Sequence, residues 1–286
     1  MDLKIADHPS DRLNLVRGLA APAILLTPYF LPIARDHLFI SAIVIFILIG
    51  ETNYILHLHI HRPFSRRPFV NLLLDAAMGI STAMAASNWR IQHKFGHHAG
   101  HDEPYCEWRD GEREAYTPRG AIVFCLRSIW PTFWLPLRES FEKGVLQDIK
   151  APLDYRYAFL EQALLVAAVV MLFVVDPIVT VLFLLPWYVL TYLITRYVDY
   201  INHYGCAEDA IVFESSNNTV NRLFNLTCHN FGFHTAHHFK PAAHWTELPA
   251  IHESIKDRIP QRLIKQFSWS CLIVPYHFLR ATRGQM

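Results

Sequence analysis

Imidazole side chains at metal-binding spacing are the most chemically informative feature of this sequence. His57 and His61 lie in HLHIHR, His93, His97 and His98 in HKFGHH, and His234, His237 and His238 in HTAHH, while His203 stands alone in DYINHYG. On a helix, residues four apart share one face at a separation of about 6 Å, so each such pair can aim two imidazoles at one point. One zinc takes three or four donors, so this count predicts two metals held together. An all-imidazole site is neutral apart from its metal, which suits iron cycling between oxidation states better than structural zinc. Two irons together would supply the electrons needed to cleave dioxygen. Of the 17 histidines, His8, His37, His252 and His277 stand apart from the clusters and read as surface or hydrogen-bonded structural residues, as does His244. His59, His101 and His229 are extra donors without an assigned role.

The elements that position these clusters read as membrane helices. The chain has 286 residues, is 52% apolar and 13% aromatic, and its mean hydropathy is +0.17, a combination that fits a polytopic membrane protein. Crossing a bilayer core takes roughly 20 apolar helical residues. Four stretches qualify: Leu13 to Ile33, Leu38 to Leu56, Tyr157 to Val175 and Pro177 to Val198. They form two hairpins, at 13–56 and 157–198, with short links at Ala34–His37 and Asp176-Pro177. Val70 to Ser87 reads as a helix or re-entrant hairpin that does not span, because a single crossing there would part the first two clusters. Ala121 to Leu137 and Gln266 to Leu279 have the composition of interfacial helices.

The expected fold is therefore all-α: a single membrane-embedded domain over 1–286, with about four transmembrane helices and a cytoplasmic, histidine-rich helical cap at 57–120 and 199–260. The hairpin links carry only Arg35, whereas most other cations lie at the N-terminus and in the histidine-bearing regions. The positive-inside rule then puts both termini and all clusters on the cytoplasmic side of an integral membrane protein, in the inner membrane if the chain is bacterial. The sequence MDLKIADHPSDRLNL shows no removable signal peptide. Asn217-Asn218-Thr219 and Asn225-Leu226-Thr227 are sequon-like but irrelevant on that side. A net charge of +1 gives no argument for nucleic acid, and five scattered cysteines without a CxxC offer no iron–sulfur site.

The three histidine boxes resemble those of the membrane fatty acid desaturase superfamily, with patterns HxxxH, HxxxHH and HxxHH. DYINHYG is similar to a segment of its alkane hydroxylase and xylene monooxygenase branch, as are NRLFNL and HHFKPAAHWTELP around the last box. The resemblance covers roughly His57 to Pro249. It implies a non-haem di-iron oxidase that uses O2 and two externally delivered electrons to attack an unactivated C–H bond of a lipid or fatty acyl chain. The ligands it implies for two iron ions are His57, His61, His93, His97, His98, His203, His234, His237 and His238. Desaturation is the first reading and hydroxylation the alternative. Asp199 stands where the hydroxylase segment has Asn, and Asn202 where that segment often has Glu.

Asp199, four residues before His203, is a candidate for orienting a ligand imidazole; Glu51, Asp102, Glu103 and Asp209 are weaker ones. Trp89, Trp130, Trp134 and Trp187 read as interface anchors or packing. The absence of a cysteine cluster or flavin fingerprint predicts a separate electron donor, such as ferredoxin or rubredoxin with its reductase, docking near Arg62, Arg66, Arg67 and Lys94. A histidine-rich metal transporter is a remoter alternative, which would place polar ligands inside the spans. An intramembrane protease would need HExxH, and Leu58 follows His57 while Lys94 follows His93. A non-enzymatic scaffold leaves the three clusters without a reason.

Overall fold

Proline placement decides how far the apolar N-terminal region runs as one helix. In the computed structural model, which describes residues 6–98, 117–134, 155–206 and 212–265, helix α1 (Asp11–Leu25) contains Pro22. Two short helical turns follow, Thr27–Phe30 and Pro32–Asp36, each with proline in its first turn. Leu31 between them is extended, at φ −109° and ψ 112°, because a residue that precedes proline is driven out of the helical region. The stretch expected to cross the membrane from Leu13 to Ile33 is therefore broken and forms no single span. The helices that follow are α2 (Leu38–Ile49), α3 (Thr52–His61), α4 (Pro68–Thr82) and α5 (Ala86–Trp89), the last continued by a π-helical turn over Arg90–His97. Then come α6 (Pro118–Arg127), α7 (Tyr155–Val175), α8 (Leu185–His203), α9 (Arg222–Thr227), α10 (His234–Phe239) and α11 (Leu248–Ile255). Among the described residues there is no strand, only an isolated bridge between Asn218 and Ile264. The fold is all-α.

Among the described residues, three helices are long and apolar enough to cross a bilayer: Leu38–His61, which joins α2 and α3, Ala158–Val175 within α7, and Pro177–His203 ending in α8. A fourth is available if Pro68–Thr82 and Ala86–His93, which meet at 89°, count together as one broken span or a re-entrant loop. The bend begins at Ala83, which takes the left-handed conformation at φ 57°. The surfaces of these helices are apolar and bare: Phe39 is 79% exposed, Ile47 76% and Val174 76%. Such a surface suits lipid, where only helices with internally satisfied backbones can stand.

Contacts divide the chain into two compact units, Met1–Lys94 with Thr132–Tyr192, and Phe95–Pro131 with Leu193–Met286. The first has a core of Leu25, Ile45, Ile49, Phe183, Leu184 and Trp187. Its two hairpin links meet. Arg35 Nη2 lies 2.8 Å from Asp176 Oδ2, and the other oxygen of Asp176 accepts from Ile178 N and Val179 N, each at 3.1 Å. One aspartate thus caps the turn of one hairpin and holds the cation of the other. The second unit packs Phe213, Leu248, Ile255 and Leu263 together with Ala236 of α10, the helix that carries the last histidine box.

Candidate metal centre

In the first unit, α3 brings His57 and His61 onto one face, and the π-helical turn brings His93 to them. The imidazole nitrogens of His57 and His93 are 2.8 Å apart, Nε2 to Nε2, and the ring of His61 lies 4.8 Å from that of His57 and 5.2 Å from that of His93. All three are buried. Trp89 walls this triad, its ring 6.0 Å from His57 and 6.2 Å from His93, so it packs on the site rather than anchoring at an interface.

Two buried carboxylates hold the helix that bears His93. Glu161 of α7 accepts from Ala86 N and Ser87 N, each at 3.1 Å, and from the Ser87 hydroxyl, which satisfies first-turn donors the helix cannot satisfy itself. Asp75 of α4 takes Arg90 Nη2 on both oxygens, at 2.7 and 2.9 Å. Asp75 also faces His59 Nε2 at 3.4 Å. Because His59 Nδ1 accepts from Phe64 N at 3.2 Å, its Nε2 carries the proton and points at the carboxylate. His59 is therefore a structural residue of this network, although it sits inside the first histidine box.

The second unit gathers His97, His203, His234 and His238, with one ring nitrogen from each within 4.8 Å of the others. Nε2 of His234 is 3.1 Å from that of His203 and 3.2 Å from that of His238. Nitrogens bound side by side to one metal at roughly 2.1 Å lie about 3.0–3.4 Å apart, so the tetrad has the spacing of a metal shell. His203 is also in the right tautomer. Its Nδ1 is 2.9 Å from the Ser215 carbonyl oxygen, which can only accept, so Nδ1 carries the proton and Nε2 holds the lone pair. His98 and His237 form a further pair, with ring centroids 4.7 Å apart.

Asp199 lies on the other side of His203: its Oδ1 is 3.9 Å from Nε2, and its Oδ2 is 3.5 Å from Arg196 Nη1. The contact that orients His203 from behind is the Ser215 carbonyl. Burial drives His238 well below the ordinary histidine range, helped by its neighbours His234 and His97. Burial, with His97 and His203 adding to it, pushes His237 down to about 3. Both are therefore neutral at pH 7, the form that binds metal.

A donor set made wholly of imidazoles fits iron, zinc or copper and does not fit calcium or magnesium, which prefer oxygen. His229 takes φ 50° and meets the ring of Trp245 edge-on, with centroids 5.1 Å apart, outside these clusters. His101, Asp102, Glu103, Asp209 and His277 lie outside the described residues, as does Gln266 to Leu279. Glu51 pairs with Arg17. Trp187 is buried and donates to Ser81 O at 2.9 Å, whereas Trp130 and Trp134 are exposed.

The family model described as fatty acid desaturase matches residues 37–270. This chain belongs to the fatty acid desaturase family. Comparisons with curated proteins and with solved structures found no match. The matched span contains both histidine clusters and all three bilayer-crossing helices, so this desaturase-family chain is an integral membrane protein of oxidoreductase type, with histidine boxes built to hold metal.

Sequence spacing singled out the histidines that the structure gathers, but not the residues that support them. Glu161 was not singled out from the sequence. The sequon-like Asn217-Asn218-Thr219 is buried throughout and serves as the strut described below. A signal for Glu161 was present: a lone acid four residues inside a spanning helix is costly unless it has partners.

Proposed function

We propose that this protein is an O2-dependent non-haem di-iron oxidase that removes hydrogen from an unactivated C–H bond of a lipid or fatty acyl chain, with desaturation as its reaction. The observation that carries the reading is the gathering of His97, His203, His234 and His238, one ring nitrogen from each within 4.8 Å of the others, in a chain of the desaturase family. One iron sits on His97, His203, His234 and His238. A second uses His57, His61 and His93, and His98 and His237 supply further donors. Bound iron supplies the oxidising power. The protein's own residues fix the imidazole tautomers, keep them unprotonated, and wall the triad with Trp89.

The sequence holds no cysteine cluster and no flavin fingerprint, so in this reading electrons come from a separate ferredoxin- or rubredoxin-type carrier. The metal site faces the cytoplasm in this reading. Arg62 and Arg66 already pair with Asp7, which narrows the free cationic surface available to an acidic carrier near the first box.

Hydroxylation is the second reading, favoured by the place of His203, from the hydroxylase-like DYINHYG segment, within the tetrad. Expression in a host lacking the activity, followed by mass spectrometry of total lipids and free fatty acids, separates the two. A product lighter by two hydrogens supports desaturation, and one heavier by an oxygen supports hydroxylation. No new lipid product, from protein shown to hold iron and supplied with donor and reductase, refutes both.

A further inference from the structure

Helix α10 carries His234 and His238 of the tetrad, together with His237, yet it is six residues long. A helix this short does not hold itself in water or in a protein without outside contacts. Its N-cap, Phe233, makes no side-chain capping bond. The missing cap comes from elsewhere in the same unit. Asn218 Oδ1 accepts from Thr235 N at 3.0 Å, and Asn218 Nδ2 donates to Thr235 Oγ1 at 2.6 Å and to Ser216 O at 3.2 Å. One carboxamide therefore grips both the backbone and the hydroxyl of the residue next to His234. The hydroxyls of Ser216 and Thr235 also meet, at 2.9 Å. Asn218, Ser216 and Thr235 are each 0% exposed.

The segment that presents Asn218 is itself fixed to the end of α8. Asn217 N donates to Asn202 O at 2.7 Å, and Asn217 Nδ2 donates to Ile201 O at 3.0 Å and Tyr204 O at 2.8 Å. Two residues earlier, the Ser215 carbonyl receives the Nδ1 proton of His203 at 2.9 Å. Beyond Asn218, Thr219 N donates to Gly232 O at 2.8 Å, and a Cβ on Gly232 would come within 2.6 Å of Thr219 and Asn225. One short stretch of chain, 215–219, thus contacts the imidazole of His203 at one end and the helix of His234 and His238 at the other.

We propose that Asn218 is a positioning residue for the four-histidine cluster, acting through Thr235 to set α10 against His203. The proposal rests on the reading that the tetrad holds a metal. Asn218 touches neither metal nor substrate; its effect is to fix the spacing of nitrogens that belong to two separate elements.

The test uses the purified full-length chain, with Thr235→Val, Thr235→Ser and Asn218→Ala beside wild type. Iron per chain is measured, together with the visible absorption of protein loaded with Co2+ as a spectroscopic probe. Supporting groups behind metal ligands typically control about 10–100-fold in metal affinity. Thr235→Val and Asn218→Ala are expected to weaken one of two metals by that factor and to shift its Co2+ spectrum, while the other metal stays bound. Thr235→Ser, which keeps the hydroxyl, should restore wild-type affinity and spectrum. If Asn218→Ala unfolds the protein, the Thr235 pair decides: equal affinities and spectra for Val and Ser overturn the proposal. Wild type that binds no iron and no Co2+ overturns it too, together with the metal reading beneath it.

Discussion

Glu161 offers the sharpest test of how the first histidine cluster is held. Replacing it with Leu keeps α7 helical and apolar but removes the acceptor for Ala86 N, Ser87 N and the Ser87 hydroxyl. Each buried donor left without a partner costs about 1–3 kcal/mol. Relief from burying a carboxylate offsets part of that sum, so a net loss of about 2–4 kcal/mol is expected. At roughly 2–4 °C per kcal/mol for a chain of this order of size, the apparent Tm should fall by about 4–16 °C. The damage should also be local. The helix that starts at Ala86 carries His93, so iron bound by the triad should drop even in protein that stays folded. Glu161→Gln keeps one acceptor oxygen and should lose about half as much stability. The assay is thermal unfolding of detergent-solubilised protein, with iron measured on the same sample. A Glu161→Leu protein with wild-type Tm and full iron would show that the carboxylate does not hold the His93 helix.

Other consequences can be checked independently. Alanine at any one of His61, His97, His98, His237 or His238 should abolish turnover and lower iron, whereas alanine at His8 or His252 should do neither; full activity in His98→Ala or His238→Ala would remove the di-iron assignment. Purified protein with substrate and O2 should stay inactive until a separate carrier and reductase are added, and repeated turnover with NADH alone would contradict this. A cysteine at Arg35 should react from outside intact cells with a membrane-impermeant thiol reagent while one at Ser10 should not, and the reverse pattern would invert the topology. Burial holds the His252 pKa below its ordinary 6.5, so its neutral form favours the fold. Its contribution is complete above about pH 6.5 and is lost as pH falls from there toward the lowered folded value. The apparent Tm of His252→Gln should therefore fall less steeply than that of wild type below pH 6.5, and parallel curves would refute this.

Helical structure, the long apolar spans and the histidine spacing were legible in the sequence because each follows from local chemistry. An apolar run of bilayer length has to satisfy its backbone internally and so becomes a helix. Imidazoles four apart on a helix share a face whatever surrounds them. Proline also acts locally, yet its effect on Leu13 to Ile33 emerged only from the structure, since Pro22 is tolerated inside α1 whereas Pro28 and Pro32 start new turns. Spacing left open which cluster each histidine of the second box joins. His93 joins the triad and His97 the tetrad because the intervening turn is π-helical, a widening that no residue pattern announces. Support of the ligands was equally hidden. His59 had no assigned role by spacing and is claimed by Asp75, while Ser215, Asn218 and Glu161 act through backbone groups distant in sequence. Residue type and spacing determined which atoms could bind a metal. Tertiary structure decided which of them meet and what holds them in place, because buried donors and acceptors must find partners wherever the chain brings them.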